Sequence, residues 1–229
     1  VKYFLKSVII CCLLIATGCT AFSQYSKQDT LRGSIGQGRS WWNVIRYDLS
    51  IAVDMTNQTI SGTNVITFEV TDPARAKLMQ IDLQKPMDIE KIEEPAAKFR
   101  QVPFKREGNV IWADFNSSGF ETGKQYKINI TFKGKPRAAV NPPWDGGWVW
   151  SRDAQARPWI SVACQGLGAS VWYPCKDHQS DEPDAGASLS IKVPDDLVAV
   201  ANGKLKSKVD NKEQKTTTYK WEVTSPINS

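Results

Sequence analysis

The sequence has 229 residues, 41% hydrophobic and 23% charged, with a formal net charge of +5. This excludes a disordered or fibrous chain and supplies apolar material for one large β domain or two small ones. Basic residues are interleaved with acids rather than massed on one face, which excludes nucleic acid as a partner class, and the single histidine, His178, excludes any site that needs two imidazoles.

Lys2 and Lys6 precede an apolar run from Val8 to Ala16, the pattern of an export signal and too short to span a bilayer as a mature helix. Two processing routes fit. Ala21-Phe-Ser23 before Gln24 has the small-x-small form read by signal peptidase, giving a signal over residues 1–23. Ala16-Thr-Gly18 before Cys19 resembles a lipobox, which would end the signal before Cys19 and leave that cysteine lipidated as a membrane anchor. The position three before Cys19 is Ala where lipoproteins usually carry Leu, which favours ordinary secretion. Either route exports the domain, to the periplasm or the medium, and loss of the two lysines takes the formal charge from +5 to +3. Cys11 and Cys12 leave with the signal, and Cys19 leaves or is lipidated. Cys164 and Cys175 then remain, a candidate disulfide in an oxidising compartment, with two reduced thiols as the alternative.

Residues 24–41 read as a polar leader, in which Tyr25 to Gln37 have no apolar period and predict a loose segment. The domain proper spans 42–229. Tyr47, Leu49, Ile51 and Val53 alternate with polar or small residues, Thr56 to Thr59 supply a turn, and Ile66, Phe68 and Val70 resume the alternation, predicting a hairpin. Period-two runs recur at Leu78 to Leu83, Val110 to Phe115, Tyr126 to Phe132, Leu189 to Val193, Leu197 to Val200 and Tyr219 to Val223. Lys135 to Arg157 form a long connection rich in Pro, Gly and Trp, a length that marks function in compact domains. Lys204 to Lys215 predict a solvated hairpin. With no helical stripe of three turns after the signal, the predicted class is all-β, an antiparallel curved sheet or β-sandwich.

The block Ala163-Cys-Gln-Gly-Leu-Gly-Ala-Ser-Val-Trp-Tyr-Pro-Cys-Lys-Asp177 is followed by Asp184-Ala, Leu189-Ser-Ile-Lys-Val-Pro194 and Val198-Ala-Val-Ala-Asn-Gly203. Together with Tyr47-Asp-Leu-Ser-Ile-Ala-Val-Asp54 and Ile60-Ser-Gly-Thr-Asn-Val-Ile-Thr-Phe68, it resembles the saddle-like N-terminal domain of M1-family (gluzincin) zinc aminopeptidases over about residues 42–229. The resemblance implies that Gln165 grips the free α-amine of a peptide substrate. An ammonium has three donors and no acceptor, so its site must present oxygen lone pairs, and fixing that end positions the first peptide bond. Gly166 and Gly168 would let the backbone pass close to the substrate. It further implies that the partners are peptide N-termini and the chain's own downstream catalytic domain. The cofactor of the complete enzyme would be zinc, bound outside this chain, because one histidine cannot make His-Glu-x-x-His. No catalytic or metal-binding residue is therefore assigned here. Several relatives run Asp-Glu-Pro almost directly after the Pro-Cys step. Here His178-Gln-Ser-Asp181 intervenes, so Asp177 and Asp181 both remain matches for the family aspartate and neither is given a role.

Plainer alternatives stand beside each of these readings. Gln165 could be a buried amide satisfied by backbone. Cys164, Cys175 and His178 make at most a partial zinc set, and Asp177, Asp181, Glu182 and Asp184 lack the regular spacing of a calcium loop. Trp144, Trp148, Trp150, Trp159 and Trp172 suit either a carbohydrate-binding or adhesion module or simple core filling.

Overall fold

The computed structural model describes residues 25–116 and 119–227; the expected export signal and Cys19 lie outside them. A helix, α1 (Lys27–Gly33), leads into β1 (Trp42–Asp54), β2 (Thr59–Val70), β3 (Leu78–Asp82) and β4 (Asp88–Glu94). Short strands β5 (Arg100–Gln101), β6 (Phe104–Glu107) and β7 (Val110–Asp114) come next, then β8 (Gln125–Gly134), β9 (Gly147–Arg152) and β10 (Pro158–Ala163). The chain continues through β11 (Ala187–Pro194), β12 (Lys204–Asn211) and β13 (Thr216–Val223). Three sheets result: eight strands in the order β12-β13-β11-β1-β2-β8-β4-β5, three in the order β3-β7-β6, and the hairpin β9–β10.

The amino-acid pattern explains the central strand. Apolar residues occupy even positions at Trp42 and Val44, then odd ones at Tyr47, Leu49 and Ile51, all of them buried. Side chains alternate strictly across a strand, so one extra residue is needed to keep both sets on one face. The β1–β2 register slips between Val44 and Arg46, which supplies it. The buried face of the large sheet meets the three-stranded sheet through Trp41, Phe68, Met79, Ile81, Ile111 and Ile130. Farther along, it meets the β9–β10 hairpin and its neighbours through Leu49, Ile51, Phe132, Trp148 and Trp172. Two small sheets thus share one side of one large sheet, and the all-β class is as expected.

Four local expectations need correction. The sheet is mixed, because β1 and β11 pair in parallel from Tyr47↔Ala187 onward, while every other strand pair is antiparallel. Leu197 to Val200 are not a strand: β13 holds this segment by side chains, with Trp221 Nε1 donating to Ala199 O at 3.1 Å and Tyr219 OH to Leu197 O at 3.3 Å. The long connection after Lys135 contains β9, whose alternation the Gly and Pro residues mask, and Ala138 adds a parallel bridge to Trp148. Finally, the segment expected to be loose holds α1. Ser26 Oγ accepts from Asp29 N at 3.2 Å while the Asp29 carboxylate accepts from Ser26 N at 2.8 Å, a capping box that starts the helix.

Candidate functional site

After β10 the chain makes a tight turn that Cys164 O closes by accepting from Leu167 N at 3.0 Å and Gly168 N at 2.9 Å. Gln165 stands exposed at the apex, and its amide has no hydrogen-bond partner among the described residues. Both following carbonyls are held from outside the turn. Gln84 Nε2 donates to Leu167 O at 2.6 Å and to Ser170 Oγ at 3.0 Å, and Arg32 Nη2 donates to Gly166 O at 2.7 Å. The alternative of a buried, backbone-satisfied Gln165 is therefore not what the fold builds.

Gln165, Gly166 and Gly168 come together in one cleft of about 670 Å³, whose other walls include Asp29, Arg32, Asp177 and His178. The two glycines serve different needs. Gly166, at φ +73°, has open space where a Cβ would lie, so only its backbone conformation calls for glycine. Gly168, at φ +77° and ψ 171°, occupies a region that other residues rarely enter, and a Cβ there would overlap the Asp177 carboxylate.

Beneath the cleft lies a buried ionic layer. Arg39 is 0% exposed and donates through Nη2 to Asp82 Oδ2 at 2.7 Å; the same oxygen accepts from Asp177 N at 3.0 Å, and Gln80 Nε2 reaches Asp82 Oδ1 at 3.1 Å. Burial pushes the Asp82 carboxyl above its ordinary value, with the Arg39 charge opposing. Nearby, Lys176 Nζ pairs with Asp181 Oδ2, donates to Trp42 O and sits 4.6 Å from the centre of the Trp42 ring. Burial lowers the Lys176 pKa, against the pull of Asp181. Asp177 and Asp181 are thus both structural in these contacts. Asp177 accepts from Ser170 N at 3.2 Å and Ser170 Oγ at 2.5 Å, while Asp181 also accepts from Val44 N at 3.2 Å. Neither Arg39 nor Arg32 was foreseen, because nothing in the sequence separates them from ordinary leader arginines.

The other constellations disperse. No disulfide joins Cys164 to Cys175: the first packs half-buried beside Trp148 and Trp172, and the second is buried at the edge of the three-stranded sheet, where its backbone bridges Asp82 of β3. Burial raises the Cys164 thiol pKa. His178 Nδ1 shares a 2.7 Å hydrogen bond with Ser180 Oγ, and Asp184 accepts from Asn43 Nδ2 at 2.7 Å. Among the described residues no three His, Cys, Asp or Glu side chains converge as metal ligands, so zinc does not fit this donor set and no step runs through it here. The tryptophans make no continuous platform. Trp148 is buried, stacked on Trp150 at 5.2 Å and edge-on to Trp172 at 5.9 Å, while Trp144 and Trp159 are exposed. Trp159 borders a second, apolar groove of about 600 Å³ with Ile51, Ile191, Val198 and Val200.

The fold has counterparts. A mutant M1 zinc metallopeptidase from Deinococcus radiodurans, bound to a Tyr-Ser-Ala substrate, superposes with a TM-score of 0.62 at 17% identity, over 81% of this chain and 40% of its own. Leukotriene A4 hydrolase from Saccharomyces cerevisiae gives 0.59 at 16% identity, over 82% and 28%. The yeast hydrolase in complex with bestatin gives 0.55 at 13%, over 91% and 30%. At these identities the likeness is one of fold, and the chain spans well under half the length of each. No curated protein matches the sequence. The model of the peptidase M1 N-terminal domain matches residues 43–229, from the second residue of β1 to beyond β13, and so takes in all three sheets and the Gln165 turn. On that extent the chain belongs to the peptidase M1 N-terminal domain family.

Proposed function

We propose that this chain is the substrate-amine-recognition domain of an exported M1-type zinc aminopeptidase, a peptide hydrolase that removes N-terminal residues. The observation that carries the reading is Gln165: an exposed amide with no partner among the described residues, held at the apex of an anchored turn in a cleft. Its Oε1 accepts a hydrogen bond from the peptide's terminal ammonium, the Nε2 being a donor and of no use to that group. Anchoring the turn orders this acceptor before substrate arrives, so less freedom is lost on binding. The cofactor implied for the complete enzyme is zinc, held by a downstream catalytic domain rather than by residues here. The apolar groove around Trp159, Val198 and Val200 suits the packing of that domain. Export, as a secreted, periplasmic or lipid-anchored protein, rests on the segment before residue 25.

The test is Gln165→Ala in the complete peptidase. Loss of one charge-assisted hydrogen bond is worth about 1.5 to 3 kcal/mol, or about ten- to a hundredfold in kcat/KM on free-amine substrates. Unchanged kinetics would remove Gln165 from the site.

A further inference from the structure

Helix α1 precedes the family-matched region, which begins at residue 43, yet it touches the candidate amine site. We infer that α1 is a positioning element for that site, with Arg32 fixing the turn that carries Gln165. The inference rests on the amine-binding reading above.

Gly166 needs an external restraint. Its φ is +73°, nothing lies within 4 Å of where a Cβ would be, and glycine has the most backbone freedom to lose. Gln84 holds the next carbonyl, that of Leu167, at 2.6 Å. Among the described residues, the Gly166 carbonyl is held by Arg32. Releasing it leaves the peptide plane after Gly166 held only through Leu167 N, which donates to Cys164 O at 3.0 Å.

Arg32 can act as a restraint because α1 is itself fixed. Gln80 Nε2, from β3, donates to Leu31 O at 2.9 Å. Arg39 Nη1 donates to Arg32 O and Ser34 O, each at 2.8 Å, from a fully buried position. At the other end of the helix, Lys27 pairs with Glu107, and the Gln28 side chain covers Gly108. These contacts close a ring. Asp177 N binds Asp82, Asp82 binds Arg39, Arg39 holds the backbone of α1, Arg32 reaches back to Gly166, and Gly168 lies against the Asp177 carboxylate. The cleft floor and the Gln165 turn are thus two arms of one circuit of hydrogen bonds and close packing that α1 completes.

The charge of Arg32 argues for an indirect role. A guanidinium repels an ammonium, so Arg32 does not bind the substrate's amine itself. Asp29, three residues earlier and lining the same cleft, offsets the guanidinium, whose field in turn helps lower the Asp29 pKa after the hydrogen bonds from Ser26. Arg32 acts through Gly166 and is a positioning residue.

The test uses the complete peptidase and steady-state kinetics on aminoacyl substrates with a free amine. Arg32→Ala is expected to raise KM about three- to tenfold, the scale of one partly solvated charge-assisted hydrogen bond, with kcat within about twofold. Arg32→Lys restores KM, because the Gly166 carbonyl needs a single N–H donor. In a Gln165→Ala background Arg32→Ala adds less than about twofold, since the group it positions is gone. Equal losses in both backgrounds, or a Gln165→Ala effect with no Arg32→Ala effect, overturn the role of α1 and leave the amine site standing. If Gln165→Ala itself changes nothing, the amine reading falls and this inference falls with it. Arg32 is exposed, and thermal unfolding of each variant separates a loss of fold from a loss of positioning.

Discussion

Replacing Gly168 with alanine tests the geometry of the cleft more sharply than any other single change. Its backbone, at φ +77° and ψ 171°, lies where a residue with a Cβ costs about 1 to 3 kcal/mol. The new methyl would also overlap the Asp177 carboxylate, which holds Ser170 N and Ser170 Oγ. Displacing it weakens hydrogen bonds to a charged acceptor, worth about 1.5 to 3 kcal/mol. With partial relaxation the total is about 3 to 5 kcal/mol, a large fraction of the roughly 5 to 15 kcal/mol that stabilises a domain. At an m-value of about 2 kcal/mol/M the urea midpoint falls by about 2 M, read by circular dichroism or tryptophan fluorescence. Gly166→Ala is the internal control: its φ is also positive but no atom obstructs the methyl, so the expected cost is about 1 kcal/mol, or about 0.5 M. Equal midpoints for the two variants would refute the claim that Asp177 packs against Gly168.

Asp181→Asn leaves the Lys176 charge buried without its carboxylate and should cost about 3 to 5 kcal/mol in chemical denaturation, with the double change Lys176→Met, Asp181→Leu recovering much of it. Arg46 holds the Glu222 carboxyl below its ordinary value, chiefly through the hydrogen bond between them. That pairing therefore contributes stability present above the ordinary glutamate pKa and lost as the pH falls through the lowered one. Glu222→Gln should flatten this acid limb of a stability-against-pH curve; an unchanged limb would count against the pair. The thiols of Cys164 and Cys175 should both react with a thiol reagent after denaturation without prior reduction, and the domain mass should not change on reduction. A gain of two mass units on reduction would show a disulfide.

Strands were legible in the sequence where the alternation is clean. Tyr47 to Val53, Ile66 to Val70 and Tyr126 to Phe132 all lie in the large sheet, and the lysine-rich stretch from Lys204 does become one arm of the β12–β13 hairpin. What stayed hidden has identifiable causes. Parallel pairing of β1 with β11 is set by contacts across most of the chain and leaves no local mark. Leu197 to Val200 alternate as a strand would, but the indole of Trp221 and the hydroxyl of Tyr219 take the carbonyls that a neighbouring strand would need. Helix α1 stayed hidden because its capping box is followed by no apolar stripe, since the helix is held by polar contacts and buries none of its own residues. At the candidate site Gln165, Gly166 and Gly168 were legible through family resemblance. The Arg39–Asp82 pair beneath them was not, because residues 43 positions apart meet only once the small sheet docks.

The parallel seam between β1 and β11 also sets a folding schedule. Asp48 and Ser188, hydrogen-bonded at 2.7 Å, lie 140 positions apart, so the edge of β1 that β11 covers stays bare while most of the domain is made. Closing so long a loop is entropically slow, and a central strand rich in Val, Ile and Leu with one edge bare is a template for wrong partners. Nascent chains ending before Ala187 should therefore aggregate, and those extending past β13 should not, which makes the last quarter of the domain the step that commits the rest.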